Sequence, residues 1–223
     1  MKIIIIIISI FFLIGCQNNI LKNIAKSDID IVTEIHINNV KSEIEDLIIK
    51  LYKLNPVYIK RNEKFSNVSD VIIDIFKAVD IEKIDTTGQK NIDLILKGFE
   101  EDFSGDRIYF ITKGLYGMIY ASYNYKEKFY LTDKKLSSQK LMNSSVNLKT
   151  LVWRLSNTKK NNTLLIKTNN TDGLKMNLSF ERLFGKIINN QENMAKIISS
   201  QEGRGIQKVA TNIVSTIFLP IGF

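Results

Sequence analysis

The chain has 223 residues, of which 44% are hydrophobic and 24% are charged. This balance is typical of a globular protein and argues against intrinsic disorder. The formal net charge of +8 favours contact with anionic surfaces such as phospholipid headgroups. The lysines are scattered along the whole chain rather than gathered on one face with stacking aromatics, so we expect no nucleic-acid partner.

The first sixteen residues, MKIIIIIISIFFLIGC, have the pattern of a secretory signal. Lys2 precedes an apolar core of about a dozen residues, shorter than the roughly twenty that a membrane-spanning helix needs. The segment ends in Leu13-Ile14-Gly15-Cys16, which closely resembles the lipobox of bacterial lipoproteins.

This resemblance implies a lipid anchor. A diacylglyceryl group would be added to the Cys16 sulfur, and a dedicated peptidase would cut after Gly15. The new amino group of Cys16 would then be acylated, so that the cysteine carries fatty acids such as palmitate. The chain would then comprise a signal peptide (1–15), a lipidated tether (16–27) and a helical domain (28–223). Gln17 follows the cysteine. Under the enterobacterial sorting rule, this residue implies the outer membrane, on its periplasmic side.

Cys16 is the only cysteine, so the chain has no internal disulfide and its core must provide its stability. Because the single thiol would carry lipid, the sequence offers neither a thiol nucleophile nor a cysteine metal site. We expect no cofactor and no metal site.

Apolar residues recur at three- and four-residue spacing in several segments, as in helices with one buried face. Pro56 ends the first of these segments, because proline cannot continue the helical hydrogen-bond ladder. The predicted helices are 28–53, 71–77, 91–99, 107–123, 136–157, 180–201 and 206–219. We expect Ser66 or Ser69 to cap the second helix and Ser179 to cap the sixth. A β-like stretch, 163–168, is expected to pair with 174–178.

The helix 107–123 is apolar nearly all round, which is typical of a buried central helix. Asp106 is a suitable N-cap for it. Gly114, Gly117 and Ala121 form a stripe of small residues that would let a neighbouring helix approach closely. The sequence therefore predicts a mainly α, single-domain multi-helix bundle around this helix, with room for one small β-hairpin.

A second stripe of this helix consists of tyrosines: Tyr109, Tyr116, Tyr120 and Tyr123. Tyrosine combines apolar area with a polar tip, so the stripe could line a groove for a sugar, a peptide or an acyl chain. The alternative is a core stripe whose hydroxyls form hydrogen bonds at the rim.

The segment before the central helix is acidic and contains Glu100, Glu101, Asp102 and Asp106. Paired carboxylates can cleave glycosidic bonds without histidine or cysteine, so these residues are candidate catalytic groups. The order of residues does not match a calcium-binding EF-hand loop. Capping and the helix dipole account equally well for acids at a helix start.

His36 is the only histidine, and no metalloprotease, nucleophile-elbow or phosphate-loop motif accompanies it. We therefore expect a structural or surface histidine. The apolar run 209–223 is short for a membrane span and interrupted by polar residues. We expect it to pack in the core, with partner or membrane contact as the alternative.

Several further segments are similar to a group of uncharacterised proteobacterial lipoproteins: LYKLNP, FSGDRIYFITKGLYGMIYASYN, LVWRLSN and LSFERLFGKII. The resemblance supports the lipoprotein prediction but implies no activity. Our first hypothesis is a membrane-anchored, non-enzymatic envelope lipoprotein that binds a protein partner. The alternatives are a peptidoglycan- or carbohydrate-active enzyme using carboxylates and a binder of an apolar ligand between helices.

Overall fold

The structure is a computed structural model, and it describes residues 26–77, 88–168, 178–203 and 218–221. Within these ranges the protein is mainly helical, with six α-helices and one small two-stranded antiparallel hairpin, which confirms the predicted fold class. The elements are α1 (Asp28–Leu54), α2 (Val68–Phe76), α3 (Gln89–Phe99), α4 (Arg107–Ser122), α5 (Ser138–Asn157), β1 (Lys159–Lys160), β2 (Thr163–Leu164) and α6 (Ser179–Glu202). A 3-10 turn, Ile59–Arg61, follows α1.

Helix α1 begins and ends where local side chains satisfy its backbone. At its start, the Asp30 carboxylate accepts hydrogen bonds from the Ser27 backbone N–H (2.8 Å) and hydroxyl (2.7 Å). At its end, the Asn55 side chain donates to the Leu51 carbonyl at 2.9 Å, directly before Pro56. The predicted helix 28–53 therefore differs from the observed one by a single residue.

Helix α4 is the central helix of the bundle, because it contacts α1, α2, α3 and α5. The Asp106 carboxylate caps it by accepting from the Tyr109 backbone N–H at 3.1 Å, as expected. Its apolar side chains are almost completely buried, among them Ile108, Ile111, Leu115, Met118 and Ile119.

The small residues of α4 allow α3 to pack very closely against it. A Cβ atom at Gly114 would lie 2.4 Å from the Asn91 carbonyl oxygen, and one at Gly117 would lie 2.1 Å from Asn91 Oδ1. Both distances are far below van der Waals contact, so only glycine fits at these positions. The predicted close approach of a neighbouring helix is confirmed.

Two predicted helix caps are wrong. Asn67, rather than Ser66 or Ser69, caps α2 and accepts from the Asp70 backbone N–H at 2.9 Å. Ser179 is already the first residue of α6, and Leu178 occupies the capping position without a side-chain hydrogen bond.

The hairpin uses a different pair of strands from the one expected. Lys159 pairs with Leu164 and Lys160 with Thr163, and the Asn161-Asn162 turn between them has φ values of 49° and 61°. Two left-handed residues form the tight turn whose twist matches a hairpin, and asparagine tolerates that conformation. Residues 174–177 of the expected partner strand lie outside the described residues.

Of the predicted last helix, residues 206–217 lie outside the described residues, and 218–221 are not helical. This short segment packs into the bundle: Ile221 is buried, and a Cβ at Gly88 would lie 3.1 Å from the Ile221 Cβ. Among the helices that the structure describes, none has the length and apolarity to cross a bilayer.

Candidate functional site

An open groove with aromatic walls runs beside the C-terminal half of α4. Its volume is about 540 Å³, within the range of about 300–1,000 Å³ typical of ligand sites. Tyr116 and Tyr120 of α4 contribute to its lining, together with Phe76 from the end of α2 and Tyr125 and Tyr130 from the loop after α4. We call this feature the aromatic groove.

Four rings of the aromatic groove form a continuous row. Tyr116 and Tyr120 stack with centroids 5.5 Å apart and an interplanar angle of 10°. Phe76 meets Tyr116 edge-on at 4.7 Å, and Tyr125 meets Tyr120 edge-on at 5.6 Å. Such pairs contribute about 0.5–1.5 kcal/mol each beyond the area they bury. Tyr116 and Tyr120 are buried, with 4% and 9% of their surface exposed, so they support the partly exposed rings of Phe76 and Tyr125 at the two ends of the row.

The backbone at the end of α4 places Tyr125 in this row. Asn124 and Tyr125 both have left-handed conformations, with φ values of 54° and 57°. Their N–H groups donate to Ala121 O (3.0 Å) and Tyr120 O (2.9 Å), the paired bonds that commonly close a helix. Asparagine favours this conformation, but a bulky tyrosine does not, so Tyr125 is held there by its surroundings.

The rim of the aromatic groove carries charges of both signs. Lys41 lies 2.6 Å from Glu127, whose carboxylate also accepts from the Tyr116 hydroxyl at 3.0 Å. Lys126 forms an ion pair with Asp133. Lys128 is exposed and has no carboxylate partner in the described part of the chain. The rim therefore presents one uncompensated cation.

The hydroxyls of Tyr116 and Tyr120 stay protonated over the physiological range. Burial raises the pKa of Tyr116, and the neighbouring Glu127 carboxylate raises it further. Burial and, to a smaller extent, Glu127 also raise the pKa of Tyr120. These hydroxyls therefore act as neutral hydrogen-bonding groups rather than as bases.

The structure separates the four tyrosines of the predicted stripe. Tyr116 and Tyr120 lie in the aromatic groove. Tyr109 lies outside it, where its hydroxyl donates to Asp74 at 2.7 Å and accepts from Lys113 at 2.7 Å. Tyr123 is completely buried and packs against Phe129 with ring centroids 6.4 Å apart. Helical spacing alone contained no signal for Phe76, Tyr125 or Tyr130, which come from other elements.

The candidate catalytic carboxylates do not converge on one cavity in the part of the protein that the structure describes. Glu100, Glu101 and Asp102 are exposed on the loop between α3 and α4. Asp106 is buried, and besides capping α4 it accepts from the Tyr52 hydroxyl at 2.6 Å and from Asn62 at 2.9 Å.

A buried arginine explains the shape of this acidic loop. The Arg107 guanidinium donates to four backbone carbonyls, those of Gly98, Glu100, Glu101 and Phe103, at 2.6–3.0 Å. Burial raises the pKa of Asp106, and hydrogen bonds from Tyr52 and Asn62 partly oppose the effect. The hydrogen bonds of Asp106 and Arg107 thus join the loop to the surrounding helices.

His36 lies half-buried on α1. Burial lowers its pKa, and a hydrogen bond with the Asn190 backbone partly opposes the effect. No group of three or more histidine, cysteine, aspartate or glutamate side chains suitable for a metal ion occurs among the described residues. Gly15 and Cys16 lie outside them.

We compared the chain with models of protein families, with curated proteins and with solved structures, and none of the three comparisons gave a match.

Proposed function

We propose that this protein is a lipid-anchored envelope lipoprotein that binds a protein partner through the aromatic groove. The anchor is the lipid on Cys16, and the residue after it, Gln17, favours the outer membrane with the domain facing the periplasm. The observation that carries the proposal is the ordered row of aromatic rings in an open groove.

The chemistry of the groove favours binding over catalysis. Both rim acids, Glu127 and Asp133, already interact with lysines, so neither is available as a general base. The other groups that line the groove are the faces of aromatic rings, uncharged tyrosine hydroxyls and the Lys128 ammonium, which has no carboxylate partner within the described ranges. Tyrosine and phenylalanine are enriched at protein interfaces, where they act as rigid contact surfaces.

The partner that fits this surface is a polypeptide segment with an apolar or aromatic side chain and an adjacent carboxylate. The apolar group would pack on the partly exposed rings of Phe76, Tyr125 and Tyr130, and the carboxylate would pair with Lys128. The enzyme alternative has less support, because Asp106 is already used in three hydrogen bonds and its three acidic neighbours are exposed.

A second candidate function, binding of an apolar ligand, has one observation in its favour. A groove of about 680 Å³ between α1 and α2 is lined by Ile49, Ile72 and Ile73, among others, and Ile73 is 66% exposed. Organic extraction of the purified protein followed by mass spectrometry tests this candidate. A bound lipid recovered in stoichiometric amount would support it, and a repeated blank would exclude it.

Site-specific photocrosslinking in cells tests the main proposal. A photoreactive phenylalanine derivative replaces Tyr130, which lines the groove and is partly exposed, or, as a control, the exposed Lys60 near the other end of α1. A tag after Phe223 allows purification, and mass spectrometry identifies the products. We expect one envelope protein to be crosslinked reproducibly from position 130 and not from position 60. The same products from both positions would contradict a binding site in the groove.

A further inference from the structure

One end of the bundle brings the start of α1 together with the loop that follows α4. The backbone N–H of Phe129 donates to the Glu34 carboxylate at 2.9 Å, and the Lys26 ammonium lies 5.2 Å from the Tyr130 ring centroid. A small cavity of about 160 Å³ between them is also lined by Ile198 near the end of α6. We call this region, residues 26–30 and 128–135, the anchor end.

The anchor end and its surroundings contain four lysines without a carboxylate partner in the ranges that the structure describes. Lys128, Lys134 and Lys135 are exposed on the loop, and Lys140 lies in the first turn of α5. Burial lowers the pKa of Lys140, and the positive charge of Lys134 lowers it further.

Two of the acids near these lysines are neutralised by ion pairs. Asp133 pairs with Lys126, and Glu34 pairs with Lys26. Asp30 accepts hydrogen bonds from Ser27 at the start of α1, where the helix dipole favours a negative charge, and Asp28 is exposed in the same turn. The four lysines without a carboxylate partner outnumber these two acids, so the anchor end and its surroundings carry an excess of positive charge.

An apolar side chain projects from the middle of this basic loop. Leu131 is 63% exposed, and the four lysines lie within nine residues of it. An exposed leucine among lysines is the combination that binds at a membrane surface, because the apolar group enters the headgroup region while the ammonium groups contact phosphates.

The tether keeps this end of the domain closer to the lipid than the other end. Nine residues separate the Cys16 position from Lys26, so the Cα atoms of these two residues are at most about 35 Å apart even when the tether is fully extended. Helix α1 has 27 residues and is therefore about 40 Å long. The anchor end thus stays within about 35 Å of the lipid, whereas the far end of α1 can lie up to about 75 Å away.

We infer that the anchor end docks on an anionic phospholipid surface, with Leu131 in the headgroup region and Lys134 and Lys135 against lipid phosphates. The inference rests on the proposed lipidation and goes beyond it, because a tether alone would leave the domain free to rotate. Docking fixes the orientation of the domain. It also holds the aromatic groove beside the membrane, since Tyr130 lines both the groove and the cavity of the anchor end.

Fluorescence from a single labelled position tests this docking. The mature, lipidated protein carrying Leu131→Cys is labelled with an environment-sensitive fluorophore and reconstituted into vesicles containing phosphatidylglycerol. The control is Ile73→Cys, another highly exposed apolar position. We expect spin-labelled lipids to quench the fluorophore at position 131 but not at position 73, and we expect vesicles of phosphatidylcholine alone to give no such difference. Equal quenching at both positions would overturn the inference.

Charge reversal provides the second readout. Lys134→Glu combined with Lys135→Glu is expected to reduce quenching at position 131 at least about fivefold, because each lysine near an anionic surface contributes about 1 kcal/mol. The matched control, Lys53→Glu with Lys60→Glu, changes two exposed lysines near the other end of α1 and should leave quenching unchanged. Unchanged quenching in the anchor-end variant would contradict docking through these lysines.

The labelling stoichiometry separates failure of docking from failure of the proposed lipidation. One fluorophore per chain is expected, because a lipidated Cys16 has no free thiol. Two fluorophores per chain would contradict lipidation. In that case, the fluorescence of wild-type protein labelled at Cys16 is measured in parallel and subtracted from that of each variant. The comparison of positions 131 and 73 then still decides whether the domain docks. One fluorophore without quenching at position 131 would contradict docking alone.

Discussion

The side chain of Asn147 forms two hydrogen bonds with the backbone of Leu219. Its Nδ2 donates to the Leu219 carbonyl at 2.8 Å, and its Oδ1 accepts from the Leu219 N–H at 2.6 Å. Asn143, one turn earlier on α5, donates to the Pro220 carbonyl at 2.9 Å. These bonds supply backbone partners for a segment without secondary structure and hold it against the bundle.

Replacing Asn147 should therefore destabilise the protein. Asn147→Ala leaves the N–H and carbonyl of Leu219 without their side-chain partners, and we expect a loss of about 2–3 kcal/mol in the free energy of unfolding. Asn157→Ala is the control, because Asn157 is exposed at the end of the same helix. Urea denaturation measures both. Equal effects of the two variants would show that the bonds to Leu219 do not stabilise the fold.

Two glycines in helix interiors should respond in opposite directions to alanine. Gly114→Ala forces a Cβ to within 2.4 Å of the Asn91 carbonyl oxygen, so we expect a loss of about 1–3 kcal/mol in the free energy of unfolding. Gly185, in α6, has no atom within 4 Å of an added Cβ. Gly185→Ala should stabilise by up to about 1 kcal/mol through helix propensity. Thermal denaturation compares the two, and a neutral Gly114→Ala would contradict the close packing of α3 on α4.

The stability of the protein should decrease below neutral pH because of His36. Burial lowers the pKa of His36 in the folded state below its ordinary value of 6.5. The unfolded state therefore binds the proton more readily, and stability falls as the pH decreases through 6.5. His36→Gln should reduce this slope when urea denaturation is measured between pH 5 and 7. The same slope in the variant would assign the effect to another group.

The proposed lipid anchor makes a prediction that does not depend on the fold. Cys16→Ala should abolish palmitate labelling in cells and leave an unprocessed precursor. Ser9→Ala is the control, because it alters the apolar core of the signal but retains the lipobox. Continued labelling of the Cys16→Ala protein would contradict the lipoprotein assignment.

Local signals in the sequence predicted most of the fold. Asp106 was identified as the cap of α4, because an acid directly before an apolar helix satisfies its free N–H groups without help from other elements. The cap of α2 was missed because Ser66, Asn67 and Ser69 are all chemically suitable, and only the chain geometry selects Asn67. The hairpin had a usable signal in the Asn161-Asn162 pair, which favours a left-handed turn.

The aromatic groove was only half predictable. Tyr116 and Tyr120 share a helical face, so periodicity could place them together. Phe76 comes from α2, some forty residues earlier in the chain, and helical spacing cannot indicate such a tertiary contact. Tyr125 depends on a left-handed backbone that is unfavourable for tyrosine.

The central claim, that the aromatic groove binds a protein partner, is tested most directly by the affinity of the crosslinked partner once it is purified. Tyr125→Ala removes the partly exposed ring at the end of the row, and Lys128→Glu reverses the free cation at the rim of the groove. We expect each change to weaken binding at least about tenfold, as for residues at the centre of an interface. Lys60→Glu should bind like the wild type. Wild-type affinity in both groove variants, measured by calorimetry on folded protein, would contradict the account.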